Sequence, residues 1–148
     1  MANMSNYLEN KLIDFIFRGK SYTAPATIYI ALCTATPTDS STGSTITEVS
    51  GGNYARQSLA ADTTNWAATN GAASTTDPSS GTSGTTSNNS DIVWSGVTWS
   101  ATVTSIAICD ASTNGNMLFW GSLNANQTVT SGNTVTISTS ALTIQIDN

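Results

Sequence analysis

The chain has 148 residues, of which 21 are serine and 26 are threonine, and it contains no histidine. Its net charge is −5 with four basic residues, three of which lie near the N-terminus, where they are expected to complement the dipole of a helix end and not to bind nucleic acid. No apolar run approaches the roughly 18 residues of a membrane span. Glu9 and Asp14 interrupt the segment where a signal peptide would have to be apolar, so neither a membrane span nor a leader is expected.

This composition predicts one domain, residues 1–148, with a mainly β fold. Hydroxyl-bearing and β-branched side chains suit the half-buried surface of a sheet. A chain of this length buries roughly 70% of the surface that it exposes when unfolded, which is enough for a core. We therefore expect an N-terminal helical arm, residues 1–21, followed by an antiparallel, jelly-roll-like β-sandwich, residues 22–148.

The arm contains a segment with helical periodicity. Its apolar side chains recur at i, i+4, i+7 and i+8, and they are Leu8, Leu12, Phe15 and Ile16. This spacing predicts a helix from about Tyr7 to Arg18, with Asn6 as the N-cap and Gly19 just after the C-terminal end. The apolar face packs either on the chain's own sandwich or on another subunit, for which these four residues are candidate contacts.

From residue 22 onward, short apolar and Thr-rich runs alternate with clusters of Gly, Asn, Asp, Ser and Pro, a pattern typical of strands and turns. An Asn-Gly step within Asp110–Asn116 indicates a hairpin. The expected strands are Thr27–Thr34, Tyr54–Ala60, Ile92–Trp94, Val97–Thr98, Val103–Cys109, Met117–Leu123, Gln127–Thr130, Thr134–Ser138 and Ala141–Ile146.

Two long connections interrupt this series of strands. The first, Ala35–Asn53, is expected to hold a short edge strand and to offer Ile46 and Val49 as contacts for a partner. The second, Asn70–Ser90, has low complexity and no large apolar residue, so we expect it to add nothing to the core. It is either a mobile loop or a loop that becomes ordered against a neighbouring protein.

The two cysteines, Cys33 and Cys109, each lie inside an apolar run of the sequence. Cysteine in such a setting behaves as a small buried hydrophobe, so two buried free thiols are expected. One bridge between neighbouring strands is the alternative.

The polar residues do not form the pattern of a catalytic or metal site. Without histidine, a nucleophilic serine would need Lys11 or Lys20 as its base, and neither lies near a strained Gly-flanked serine in the sequence. The nine carboxylates are scattered singly, and an Asp in a turn usually bonds its own backbone. We therefore expect neither an enzyme nor a cofactor, a metal ion or a small-molecule substrate.

The four tryptophans leave two interpretations open. Trp94, Trp99 and Trp120 lie in or beside apolar strands, where a large ring fills the space between two sheets. The alternative is an exposed aromatic platform on which a sugar ring stacks, to which Trp66 could also belong.

Four stretches together resemble a family of small tailed-phage virion proteins. They are SNYLENKLIDFIFRG at Ser5–Gly19, YTAPATIYIALCTATPTD at Tyr22–Asp39, EVSGGNYARQSL at Glu48–Leu59 and ICDASTNGNMLFWGSL at Ile108–Leu123. Such proteins are often loosely labelled tail fibre proteins, yet their small size is similar to that of capsid decoration, or cement, proteins. The long repeats or heptads of a fibre shaft are absent from the sequence.

The resemblance implies a decoration protein made in the host cytoplasm and bound to the outer capsid surface of the virion. There, a homotrimer would contact the major capsid protein and stabilise the assembled shell by binding it preferentially. The expected contacts of this function include the helix face, the connection with Ile46 and Val49, and the Asn70–Ser90 loop. The alternative is a tail- or fibre-associated virion protein that binds host surface glycans, for which exposed Trp or Tyr side chains on loops are expected.

Overall fold

A computed structural model describes residues 3–70 and 77–146 of the chain. Their elements, in order, are β1 Asn3–Met4, α1 Asn6–Phe17, β2 Thr27–Cys33, β3 Gln57–Ala60, β4 Thr85–Ser87, β5 Ile92–Trp94, β6 Ala101–Cys109, β7 Met117–Val129, β8 Val135–Ile137 and β9 Thr143–Gln145. The mainly β, antiparallel fold with an N-terminal helix that the sequence predicts is confirmed.

The larger layer is a five-stranded sheet with the order β1-β7-β6-β2-β3, in which every neighbouring pair is antiparallel. Its side chains alternate between two faces, as the pleat requires. In β2, Ile30 and Leu32 belong to one apolar cluster, whereas Ala31 and Cys33 belong to another. The sheet therefore has apolar side chains on both of its faces.

The second layer covers the first of these faces. It consists of two small sheets, β4 with β9 and β5 with β8. Their side chains Ile92, Trp94 and Ile144 join Ile30 and Ile108 of the large sheet in one buried cluster. This shared cluster is the core of a two-layer sandwich.

The other face of the large sheet carries a smaller cluster that includes both cysteines and Met117. Cys33 and Cys109 are buried and free, which confirms the prediction of two buried thiols. Burial also raises the pKa of both thiols, that of Cys33 to about 12 and that of Cys109 to about 11.

The helix begins one residue earlier than the sequence predicts, because Ser5 and not Asn6 is its N-cap. The Ser5 hydroxyl accepts a hydrogen bond from the Leu8 N–H at 3.3 Å and donates one to the carbonyl of Met117. Ser5 therefore caps α1 and ties it to β7 at once, a long-range role that local sequence spacing does not reveal. Gly19 has a φ of +63° after the helix, as predicted.

Several strands differ from their predicted bounds. The predicted strands Met117–Leu123 and Gln127–Thr130 are one strand, β7, whose pairing with β6 is irregular between Ser122 and Gln127. The predicted strand Val97–Thr98 is absent from the described residues. Val97 instead exchanges backbone hydrogen bonds with the turn at Gly132 and Asn133, and its side chain is buried.

The long connections also differ from expectation. Ala35–Asn53 contributes a single bridge between Cys33 and Glu48 and not a strand. The low-complexity stretch does contribute to the fold, because it supplies β4 and the fully buried Asn88. Residues 71–76 of that stretch lie outside the described residues. Among the residues that are described, no helix has both the length and the apolar character to cross a membrane.

Candidate protein interface

The helix α1 presents an apolar surface to solvent along its C-terminal half. Leu8 is buried against the sheet and Leu12 is half-buried, so the first two turns pack on the chain's own sandwich. Beyond them the apolar side chains are exposed: Ile13 by 50%, Phe15 by 55%, Ile16 by 63% and Phe17 by 78%. The helix thus packs on its own sandwich with its first half, and the apolar side chains of its second half are exposed.

Most of the exposed large apolar side chains among the described residues lie on this surface of α1. Six large apolar side chains are exposed within residues 3–70 and 77–146, and four of them are those of α1. The other two, Val93 and Ile146, lie on or beside the small sheets. Clustered exposure of this kind marks interaction sites, whereas single exposed apolar residues do not.

Charged groups surround the exposed end of α1. Arg18 forms an ion pair of 2.7 Å with Asp14, one helical turn earlier, and Lys20 follows two residues later. The Lys11 ammonium lies 5.6 Å from the centre of the Tyr7 ring. Three of the four basic residues of the chain are therefore on or just after this helix.

Ile13 and Phe17 are the residues of this surface that lie outside the i, i+4, i+7, i+8 series. Phe17 is the most exposed of the four. The apolar run of Phe15, Ile16 and Phe17 was the available signal, because three consecutive apolar residues cannot all face one side of a helix.

The structure does not bring the other candidate contacts, Ile46 and Val49, to this surface. Val49 is buried in the main core, and its N–H donates to the Leu32 carbonyl at 2.9 Å. Ile46 is half-buried against the smaller cluster on the opposite face of the sheet. Both side chains thus pack within the fold of this chain.

A buried guanidinium fixes the loops in which Ile46 and Val49 lie. Arg56 donates to both carboxylate oxygens of Glu48, with its shortest contact at 2.8 Å. It also donates to the carbonyls of Gly43, Ala111 and Asn114, at 2.7, 2.7 and 3.0 Å. The loop of Gly43 lies so close to the loop of Asn114 that a Cβ atom at position 43 would overlap the Asn114 carbonyl.

Tyr54 extends this network toward the core. Its hydroxyl donates to Glu48 at 2.9 Å and accepts from the Leu32 N–H at 2.9 Å. Burial and the adjacent Glu48 carboxylate raise the pKa of Tyr54 well above its ordinary value, so the hydroxyl remains a donor. The EVSGGNYAR stretch therefore joins three loops to the sandwich.

The tryptophans differ in burial, and two of them fill the core as the first interpretation predicts. Trp94 and Trp99 are buried in the core, and Trp99 packs edge-on against Tyr54 with ring centres 5.8 Å apart. Trp66 and Trp120 are half-buried. Their indole N–H groups donate to the carbonyl of Ala60 and to the carboxylate of Asp39, both at 3.2 Å.

Trp66 forms part of an open apolar pocket of about 530 Å³ that sequence reasoning did not anticipate. The pocket lies between the large sheet and β9, and its walls include Ile28, Ile108, Leu118, Phe119 and Ile144. Its residues come from segments far apart in the chain, so no local pattern could indicate it.

Acidic groups stand at the rim of this pocket. Asp62 and Asp77 line it, and none of its lining residues is basic. Asp62 Oδ1 accepts hydrogen bonds from the backbone N–H groups of Asn65 and Thr64 at 2.9 and 3.0 Å. These hydrogen bonds stabilise the carboxylate and lower the pKa of Asp62. The rim thus carries negative charge at neutral pH.

Within the described part of the chain, no three His, Cys, Asp or Glu side chains gather closely enough to hold a metal ion. The Asp110 carboxylate accepts from the backbone and side-chain N–H groups of Asn116, both at 2.7 Å. This pair closes the predicted hairpin, where Asn114 and Gly115 adopt positive φ values.

One family of known proteins matches nearly the whole chain. The model of the family described as "Podophage GP4 fiber I protein gp80" matches residues 3–145. No curated protein matches the sequence. The family description names a fibre protein, so it favours the fibre-associated alternative over the capsid decoration that the sequence resemblance implied first.

Proposed function

This chain belongs to the podophage GP4 fiber I protein gp80 family and is thus a structural protein of the phage virion, and from that premise we propose that it is a non-catalytic fibre component. In this function the protein acts by binding other proteins of the particle. Its location would then be the fibres of the virion and not the outer capsid surface.

The observation that carries this proposal is the exposed apolar half of α1. A free surface with Ile13, Phe15, Ile16 and Phe17 each at least half exposed costs free energy in water, and contact with a partner removes that cost. The sandwich itself is complete without these side chains, because its core is closed by residues of its own two layers. Attachment through the arm therefore leaves the fold unchanged.

Immunogold electron microscopy of phage particles tests the location. Antibodies raised against the purified chain are expected to label the tail fibres. Gold particles spread evenly over the capsid would contradict the proposal and support the decoration function.

Particles assembled with a variant chain test the surface. The double substitution Phe15→Ser and Phe17→Ser is expected to remove most of the chain from purified particles, as measured by quantitative immunoblotting. Val93→Ser is the matched control, because Val93 is also exposed and lies on β5, away from α1. Equal incorporation of both variants would show that α1 is not the attachment surface.

A further inference from the structure

We propose that the exposed end of α1 inserts into the Trp66 pocket of a second copy of this chain, so that the protein assembles head to tail. The described residues present two exposed apolar features, a projecting helix end and an open pocket of about 530 Å³. The inference rests on the use of α1 as an interface in the proposed function and names a second copy as the partner, whereas the location in the virion is tested separately.

The spacing of the helix residues suits a groove. Ile13, Ile16 and Phe17 are at i, i+3 and i+4, which places them on one side of α1. Amphipathic helices that bind grooves use anchors with this spacing. All three side chains are at least half exposed, so they are available without rearrangement of the helix.

The pocket offers a complementary surface. Its floor is formed by aliphatic and aromatic side chains of both layers, among them Ile108, Phe119 and Ile144, with Trp66 as one wall. Its volume is within the range of about 300–1,000 Å³ that is common for binding pockets, which is large enough for an aromatic side chain and its neighbours.

Charge favours this pairing over a contact between two helices. Arg18 and Lys20 adjoin the apolar end of α1, whereas Asp62 and Asp77 stand at the pocket rim. A helix docked in the pocket brings Lys20 toward the exposed Asp62 carboxylate, whereas two parallel helices docked side by side bring the basic residues at their C-terminal ends together. The Asp14–Arg18 ion pair leaves Lys20 as the strongest candidate for this attraction.

The symmetry of the contact follows from its two unlike surfaces. Each copy offers one helix end and one pocket, so the interface is heterologous. Such an interface generates a closed ring when the rotation that relates neighbouring copies returns to the first copy, and the expected homotrimer is one such ring. With any other rotation the interface generates an open chain of copies.

Cross-linking with a short bismaleimide tests the pairing directly. One variant carries Ser21→Cys just after the helix end, where Ser21 is exposed and Lys20 is retained, and the other carries Thr63→Cys at the pocket rim, where Thr63 is exposed. The native Cys33 and Cys109 are buried and do not compete for the reagent. An equimolar mixture is expected to give cross-linked dimers that contain one copy of each variant. The control mixture pairs Ser21→Cys with Thr128→Cys, which is exposed on β7 outside the pocket lining, and it is expected to give none.

Three results would overturn the inference. Cross-links between two Ser21→Cys copies would show helix-to-helix pairing, and no cross-link in the mixture would show that the pocket does not receive α1. If a glycan array instead shows sugar binding that Trp66→Ala abolishes while the mass in solution is that of a monomer, the pocket is a glycan site.

A pocket-filling variant provides an independent check. Ala68→Trp places a large ring in the pocket and is expected to abolish the cross-link, whereas Val93→Trp on β5 leaves it at the level of the parent. Circular dichroism of each variant establishes that the fold is retained. A cross-link that persists in folded Ala68→Trp protein would contradict insertion into the pocket.

Discussion

Arg56 shows at the scale of one residue how buried polar groups organise the loops of this chain. Its side chain is 2% exposed, and it pairs with Glu48, whose side chain is 21% exposed. Because the guanidinium also satisfies three loop carbonyls, its removal leaves several acceptors without donors in a dry environment.

The substitution Arg56→Met is expected to lower the free energy of unfolding by about 3–5 kcal/mol, since it breaks a buried ion pair and leaves Glu48 without its partner. Urea denaturation followed by tryptophan fluorescence measures this change. Arg18→Ala is the matched control, because it removes an exposed i,i+4 pair with Asp14 and is expected to cost about 0.3–0.5 kcal/mol. Equal losses in the two variants would refute the structural role of Arg56.

The thiols of Cys33 and Cys109 are expected to resist alkylation. Burial raises their pKa values to about 12 and about 11, so at pH 8 both remain protonated and lack the nucleophilic thiolate. Mass spectrometry after iodoacetamide treatment is expected to show an unmodified native chain and two added groups after unfolding in denaturant. Rapid modification of the native chain at either cysteine would be inconsistent with the buried position.

At the scale of elements, the low-complexity stretch shows why composition alone misjudges a loop. Asn88 in that stretch is fully buried, and its side-chain N–H groups donate to the carbonyls of Ser90 and Ser138 at 2.8 and 2.9 Å. Its side-chain oxygen accepts from the Leu142 N–H at 2.9 Å. One amide thus joins the end of β4 to the turn between β8 and β9, without any large apolar residue.

Asn88→Ala is expected to lower the free energy of unfolding by about 1–3 kcal/mol, because it leaves buried carbonyl and N–H groups unpaired. Thermal unfolding followed by circular dichroism measures the loss. The control, Asn124→Ala, alters an exposed asparagine of β7 and is expected to change stability by less than about 0.5 kcal/mol. A stable Asn88→Ala variant would mean that this stretch contributes little to the fold.

The elements that the sequence predicted well are those with strong local patterns. The helix follows from its periodicity and from Gly19, and β5 and the Asp110–Asn116 hairpin follow from alternation and turn residues. The misplaced helix cap, the merged strand β7 and the bridge at Glu48 all depend on long-range contacts. Such contacts have no local signature, so sequence spacing could not indicate them.

At the scale of the whole molecule, the exposure of apolar side chains distinguishes the candidate interface from the rest of the surface. The sequence identified the apolar helix face, but it could not reveal that Leu8 is buried while Phe15 and Ile16 are free. Nor could it reveal that the walls of the Trp66 pocket, drawn from distant segments, meet between the layers. Together these two surfaces explain how a chain without a fibre shaft of its own could take part in a fibre assembly.

The mass of the purified chain in solution, measured by light scattering coupled to size exclusion, tests the central claim that the exposed end of α1 is an interface between copies of this chain. The parent chain, of 15.3 kDa, is expected to elute as an assembly of several copies, and the Phe15→Ser, Phe17→Ser double variant as a folded monomer. A parent chain that is monomeric at every accessible concentration, or a double variant with the parent's mass, would contradict the claim.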